Sequence, residues 1–458
     1  MQIWSRRSFL KSSAVTSLAL GLNATSPAFI RRQLLAGVAE GNTKLVFLFQ
    51  RGGSDGVNTC IPHGDSQYNT TTRPTLYIPP AQSLDLGNNF AALHPGCSPM
   101  MEIYNSQALT GIDGLGNLAV IHRVGYSGQS QSHFDSQQYW ENGDPSAPDY
   151  NEGIFYRQVE RKLDPISNAL SAVAVSGSQM VALRGRISLP ALGNPANYKF
   201  DGDADKVRKF LGNEPSTPQG GDGDGFLGLY GGPRDFPGKS YRELVYGTGR
   251  ALGDSMRIVQ DAVAQGPYVP ENGATYPGSF GSKIETVAML LKRTPVRILG
   301  VNIGGWDTHT NQGGAAGGHR NLLYDVAHAF QSLSRDLADQ WENLVIVTMT
   351  EFGRTSRENG SFGTDHANAC VVFVGGGRVR GGTYNCDSTT WADGDLFSRS
   401  GRYLERRTDY RQIFKQIFDV QFGNTQADTD YVIPTYSAAR TDANARGLPD
   451  FNPLSFIA

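Results

Sequence analysis

The sequence predicts an α/β fold with a mainly parallel central sheet. Short apolar runs of strand length recur along the chain, each closed by a glycine-rich or polar turn. Stretches with apolar residues at helical spacing separate the later runs, the alternation expected of parallel strands joined by helices. Glycine is abundant, 55 of 458 residues, with no repeat period, which suits many tight loops at strand ends.

In chain order, "TKLVFLFQ" (43–50) is the first buried strand, and "RGGSDG" ends it in a glycine turn. "NLAVIHRVG" (117–125) is the second, followed by a polar loop and a helix from about Phe134. "ALSAVAVSG" (169–177) is a third. Residues 195–280 depart from the pattern. They are rich in Gly, Asp and Pro with one good helix near 240–265, and read as a loop-rich insertion or cap. The helical stretch "FGSKIETVAMLLKR" then leads to the strand "RILGVNIGG" (297–305). A second, "HRNLLYDVAHAFQSLSRDLADQ" (319–340), leads to "NLVIVTM" (343–349), and "ACVVFVGGG" (369–377) is the last strand. One domain over 43–421 results, with 422–458 read as a polar, mostly irregular C-terminal segment.

The N-terminus carries an export pattern. Ser5, Arg6, Arg7, Phe9, Leu10 and Lys11 precede a short apolar run rich in small residues, which matches a twin-arginine signal over residues 1–29. That run is too short to span a bilayer, and no longer one follows. The expectation is a periplasmic or secreted protein with no stable membrane span in the mature chain. A net charge of -2 gives no bulk electrostatic case for nucleic acid or an anionic surface. The four cysteines lack CxxC spacing, which argues against a zinc ribbon. Disulfides Cys60–Cys97 and Cys370–Cys386 and free buried thiols stand as equal alternatives.

Ligands of parallel sheets gather at the carboxyl ends of strands. After the first strand come Ser54, Asp55 and Asn58, and after the second Ser130, Ser132, His133 and Asp135. "GWDTH" brings Asp307 and His309 after "RILGVNIGG", with His319 ten residues on. Glu351 and Arg354 follow "NLVIVTM", and Asp365 and His366 precede the last strand. Carboxylates and imidazoles at one edge suit a divalent cation, with zinc, manganese, iron, magnesium and calcium all open. Each residue also has a plainer use. Asp55 is a natural turn residue, Ser132 with Asp135 is an N-cap pair, and His319 opens a helix.

The segments "VFLFQRGGSDGVNT", "SHFDSQQYWE", "GWDTHTNQ", "TEFGRTSRENGSFGTDHA" and "GGGRVRGG", behind the twin-arginine pattern, resemble a large bacterial family of exported proteins of unknown function. That family looks like a branch of the alkaline phosphatase and sulfatase superfamily, and the local match is closest to its phosphopentomutase-like members. The resemblance implies an alkaline phosphatase-like three-layer sandwich with metal ligands at strand ends. It implies His366 of the intact "GTDH" as a ligand, Asp55 as the first Asp ligand, and Asp307 with His309 as an Asp-plus-His pair, His319 being a second choice for that histidine. Glu351-Phe352 stands where the superfamily has Asp-His. Glu351 keeps ligating capacity and Phe352 does not.

From these readings the expectation is an exported metal-dependent hydrolase of phosphate or sulfate esters. Asp55, Asp307, His309, His319, Glu351, Asp365 and His366 form the candidate ligand set. Ser132 is the candidate nucleophile, with Ser130 and Ser136 behind it, and a metal-activated water is the alternative. Arg354, Arg357 and Arg51 are candidates for binding the anionic group, with Asn58 and His133 lining the substrate. The expected partner is a small anionic ester. The competing expectation is a catalytically degenerate member of the same fold that binds an envelope or surface component as a scaffold.

Overall fold

The computed structural model describes residues 42–106, 116–147, 152–165, 168–202, 204–212, 223–230, 240–398 and 401–458. The leader expected over 1–29 lies outside them, as do parts of the 195–280 insertion. The strands are β1 (Lys44–Gln50), β2 (Cys60–Pro62), β3 (Leu84–Asp85), β4 (Ala91–Leu93), β5 (Leu118–Gly125), β6 (Ala172–Ala174), β7 (Ile298–Ile303), β8 (Leu344–Thr350), β9 (Cys370–Gly376), β10 (Gly382–Tyr384) and β11 (Thr408–Asp409).

Eight of them form the central sheet, in the order β10-β5-β9-β8-β1-β7-β6 with β11 beside β5. β1 lies between β7 and β8 and is parallel to both. β6 is parallel to β7, and β10 and β11 are parallel to β5. β9 alone is reversed, antiparallel to β5 and to β8. β2, β3 and β4 make a small separate antiparallel sheet.

β1 is apolar almost throughout because both of its faces are covered. Its side chains alternate between two cores. Val46 and Leu48 pack with Ile284, Val287, Leu323 and Phe330 of the helices Gly278–Arg293 and Gly318–Asp336. Leu45, Phe47 and Phe49 pack with Phe155, Phe414 and Phe418 of the helices Ile154–Lys162 and Tyr410–Phe422. Helices on both faces of a mainly parallel sheet make three layers, as the alternation of strands and helices predicts.

The C-terminal segment read as irregular is not so. Its described residues hold the helices Gln426–Val432 and Tyr436–Ala445, the first opened by a Thr425/Asp428 capping box. The segment anchors through Val432, Ile433, Tyr436, Phe451 and Phe456, apolar residues too sparse to show a period. The helix expected near 240–265 is Ser240–Ala264. All four cysteines are free and buried, which decides between the two readings in favour of thiols.

Phe47 is fully buried and stacks on Phe155 at a centroid distance of 4.0 Å. Phe47→Ala removes the ring from the middle of the sheet and should cost about 3–5 kcal/mol. Urea unfolding should show a lower midpoint at unchanged slope; an unaltered midpoint would contradict this packing.

Candidate metal centre

The reversal of β9 decides where the site forms. β5, β8, β1 and β7 all run the same way, so their carboxyl ends share one edge. Because β9 runs against them, its amino end lies on that edge too. The loops after β5, β8, β1 and β7 and the loop before β9 therefore meet. They carry His133, Glu351 and Arg354, Gly52, Asp307 and His309, and Asp365 and His366 respectively.

His133, Asp307 and His366 offer ligand atoms within 4.8 Å of one another. His366 Nε2 lies 3.2 Å and His309 Nε2 3.0 Å from Asp307 Oδ1, and His133 Nε2 lies 3.4 Å from Asp307 Oδ2. The two nitrogens His309 Nε2 and His366 Nε2 are 2.9 Å apart. The three rings form a row with His366 in the middle, 4.5 Å from His133 and 4.7 Å from His309 between centroids.

Each ring is held by its far nitrogen. His133 Nδ1 faces Glu351 Oε1 at 2.9 Å, His309 Nδ1 faces Asp365 Oδ1 at 3.1 Å, and His366 Nδ1 faces the Gln131 carbonyl at 2.8 Å. All three partners only accept, so each Nδ1 carries a proton, and in the neutral ring each Nε2 keeps its lone pair. The His309 and His366 lone pairs then face each other and Asp307 Oδ1, and the His133 lone pair faces Asp307 Oδ2. That is repulsive unless a cation or shared protons stand between them. Ligands about 2.1 Å from one ion are separated from each other by about 3.0–3.4 Å; the nitrogen–oxygen distances around Asp307 match this, while His309 falls outside the group of three residues whose ligand atoms all lie within 4.8 Å of one another. His133 Nε2 is buried and makes no hydrogen bond.

The supports are equally defined. Glu351 is fully buried and accepts from His133, from Gln137 Nε2 at 3.0 Å and from the Gly52 amide at 2.7 Å. Arg354 is buried beneath Asp307 and donates to its Oδ1, to the carbonyls of Gly52 and Trp306, to Gly53 O at 2.9 Å and to Thr364 O at 3.0 Å. Phe352 is buried with its ring 4.5 Å from His366 and 4.9 Å from His133, a hydrophobic floor under both imidazoles. Gly52 has φ 127° and a side-chain carbon there would sit 2.3 Å from the Asp307 amide nitrogen. One at Gly363 would sit 2.4 Å from Thr308 O. Both positions need glycine for the loops to close on one another.

Local charge tunes the groups. Burial pushes the Asp307 carboxyl upward, but the hydrogen bond and charge of Arg354 outweigh it and hold it down at about 2. Burial also opposes ionisation of Glu351, and the bonds from His133, Gln137 and Gly52 leave it below the usual carboxylate value. The bond to Glu351 raises His133, while burial lowers His366.

The other expected residues go elsewhere. Asp55 is fully buried at the start of the helix Gly56–Thr59, accepting from the amides of Val57 and Asn58. Its oxygens are held by Arg73, 2.6 Å from Oδ2, and by Gln312 Nε2, also at 2.6 Å from Oδ2. Asn58 is bound by Arg73 and Tyr68 and donates to Leu76 O. His319 is buried, with Nε2 3.4 Å from Thr59 Oγ1 and its ring against His94 and Trp306; burial pushes its pKa down to about 3. Arg51 is paired in bidentate fashion with Glu141, at 2.8 and 3.0 Å, and donates to Gln137 and Asn302. Arg357 is exposed and lies over the Phe397 ring. Ser132 caps the helix His133–Asn142, accepting from Asp135 N, and Ser136 donates to Glu351 O.

Sequence reasoning gave His133 to the substrate and Glu351 to the metal. In the structure His133 lies in the cluster and Glu351 stands behind it, hydrogen-bonded to the His133 ring. It also missed the Gln131 carbonyl, Gln137 and Asn359, whose Nδ2 donates to Asp365 at 3.0 Å. A main-chain carbonyl carries no residue-type signal, and Gln137 is visible only as the residue one helical turn after His133.

Residues 243–433 match a protein family described as "Protein of unknown function (DUF1501)". The match takes in Asp307, His309, Glu351, Arg354, Asp365 and His366 and leaves out β1, β5 and His133. No curated protein matches the chain.

Burial opposes the Asp55 charge, but Arg73 outweighs it and holds the carboxyl at about 2, below the ordinary carboxylate range near 3.9. The pair therefore stabilises the fold fully above about pH 4, and that contribution should be lost as pH falls toward 2. Asp55→Asn leaves Arg73 buried without a counter-charge and should cost about 3–5 kcal/mol at neutral pH. Denaturation of wild type and variant against pH checks this: the gap should narrow toward pH 2. A variant of wild-type stability would show that the pair carries no such weight.

Proposed function

We propose that the chain is a metal-dependent hydrolase of phosphate or sulfate esters, built around a single divalent cation. His133, Asp307 and His366 would hold the ion, with His309 beside them. The observation that carries the reading is the convergence of three Nε2 lone pairs on one carboxylate, each ring fixed from behind. The donor set fits zinc, manganese or iron better than calcium or magnesium, because imidazoles outnumber oxygens. Three carboxylates, Asp307, Glu351 and Asp365, surround the rings, and Arg354 is the guanidinium buried among them, so a divalent charge suits the site. Two features favour one ion over two. Phe352 cannot ligate, and Asp55 is already neutralised by Arg73.

When bound, a divalent cation polarises an ester oxygen and acidifies water beside it. The chain supplies the rest. Glu351 and Asp365 hold the His133 and His309 rings with Nε2 directed inward, and the Gln131 carbonyl does the same for His366. Arg354 fixes Asp307 and has its N–H groups committed to acceptors, so it is a positioning residue. The anionic group would meet the amino end of the helix His133–Asn142, where the amides of His133 and Phe134 have no acceptor among the described residues. Ser132 at that end is committed to capping, which favours water over Ser132 as the attacking group. The alkaline phosphatase-like form of the three-layer fold and twin-arginine export to the periplasm or beyond belong to the same proposal. The first is supported by the sheet order and strand-end site, the second by Arg6-Arg7 and its context.

The scaffold reading is favoured by one observation: two of the three arginines expected to bind the anion, Arg51 and Arg354, are engaged by carboxylates of the protein. Metal content and turnover separate the two. The purified chain should hold about one divalent metal, lost in His366→Ala, and should cleave aryl phosphate or aryl sulfate esters. Metal without turnover on any ester would favour the scaffold. Folded protein without metal would overturn the centre itself. Glu351→Gln should weaken metal affinity by about 10–100-fold with the fold retained, read by chelator competition.

A further inference from the structure

Asp307 and His366 come from separate loops, yet Asp307 Oδ1 and His366 Nε2 lie 3.2 Å apart. A carboxylate oxygen and an imidazole lone pair repel at that distance when no cation or proton stands between them. The two loops therefore need a clasp that does not depend on an ion. Arg354 supplies one from beneath Asp307. The side chain of Gln312, which is buried, supplies a second.

Gln312 Oε1 accepts from two hydroxyls, Thr308 Oγ1 at 2.8 Å and Thr364 Oγ1 at 2.6 Å. Thr308 stands between Asp307 and His309, and Thr364 directly precedes Asp365 and His366. Gln312 Nε2 donates to Asp55 Oδ2 at 2.6 Å. The amide has one orientation open to it. The Asp55 carboxylate, paired with Arg73, only accepts, so the amide nitrogen must face it and the oxygen is left for the hydroxyls. Main-chain bonds complete the joint: the Thr364 amide donates to Thr308 O at 3.1 Å, and the Gln312 amide to Phe362 O at 3.0 Å. Asp55 and Arg73 are both fully buried. One side chain thus bolts the loop of Asp307 and the loop of His366 to each other and to a buried ion pair. A buried amide is costly unless its groups are satisfied, and here both of its ends are used on these partners.

We infer that Gln312 is a positioning residue for the metal centre: it sets the separation of Asp307 from His366, and through it the affinity and coordination geometry of the ion. The inference rests on the proposed metal centre and not on the reaction or the ester assigned to it. Ligand atoms have to be held within about 0.5 Å of their bound positions. Without the amide, the Thr308 and Thr364 hydroxyls lose their shared acceptor, and the two loops can part before an ion arrives.

Chelator competition with zinc, and the visible absorption of the cobalt(II)-loaded full chain, test this without turnover. Gln312→Met keeps an unbranched side chain of similar size and removes the amide. It should weaken zinc binding by about tenfold and shift the cobalt band. Thr308→Val combined with Thr364→Val removes the two hydroxyls and leaves the bond from Gln312 to Asp55. It should give a comparable loss and the same shift. Adding Gln312→Met to that pair should cost little more, because all three residues act through one joint. An amide that serves the fold alone would lower the urea midpoint and leave zinc affinity and the cobalt band at wild-type values; that result in either variant would overturn the inference. Losses that add in full in the combined variant would overturn it as well. If Gln312→Met does not fold, the threonine pair decides. Folded wild type without zinc refutes the metal centre and this inference together. Wild type that holds zinc, beside variants that hold it equally well, refutes this inference alone.

Discussion

The buried guanidinium of Arg354 is the contact on which the arrangement of this edge depends. A buried cation without partners costs several kcal/mol, so its N–H groups must find acceptors. They find them in the loop after β1 (Gly52 and Gly53), in the loop after β7 (Trp306 and Asp307) and before β9 (Thr364). Arg354 itself comes from the loop after β8. One side chain thus fixes four chain segments relative to one another. The glycines follow from it: loops drawn that close leave no room for a side-chain carbon at Gly52 or Gly363. The same pull sets the Asp307 carboxylate at the focus of the three imidazoles and keeps it ionised.

Sheet topology supplies the other half of the constraint. With β9 parallel to its neighbours, Asp365 and His366 would begin a strand at the far edge, a strand's length from Asp307. The reversal brings them to the carboxyl ends of β5, β8, β1 and β7. It also explains why so charged a segment lies between two buried strands. The residues from Glu351 to His366 lie in the return between antiparallel neighbours, and Arg354 and His366 are bridged directly across it. Charge there is not simply solvated surface, because Glu351 and Arg354 are fully buried and paired within the edge.

The sequence made the strands legible because a buried strand must be apolar on both faces. β1, β7, β8 and β9 lie where the runs 43–50, 297–305, 343–349 and 369–377 place them. It made the edge legible through Asp307, His309 and His366, which do converge. What it did not resolve is which of two identical residue types takes which role. Asp55 and Asp307 both follow a strand and a glycine; only the presence of Arg73, 18 residues away in sequence, commits Asp55 to an ion pair. His319 and His309 are ten residues apart, yet one opens a helix that carries it into the core while the other stays on the loop. The plainer readings of Asp55, Ser132 and His319 as turn, cap and helix-opening residues match where these side chains sit. Long-range pairing, not residue type, separates them, and one sequence does not display it.

Electrostatics bears on how many ions such an edge would accept. A second cation near Asp55 would have to displace the Arg73 guanidinium, which also donates to Asn58 Oδ1 at 2.8 Å and to the carbonyls of Ser356 and Thr355 at 2.8 Å. Displacement would strand a buried positive charge and break those bonds together. Arg73 thus acts as a fixed counter-ion where the resemblance would place a ligand, and Phe352 removes a further donor from the same neighbourhood. The carboxylates that remain at this edge are Asp307, Glu351 and Asp365, of which Asp307 is paired with Arg354 and Asp365 with Arg402, and the imidazoles beside them turn Nδ1 outward. Bound as proposed, a cation would meet side chains that the fold has already set in place.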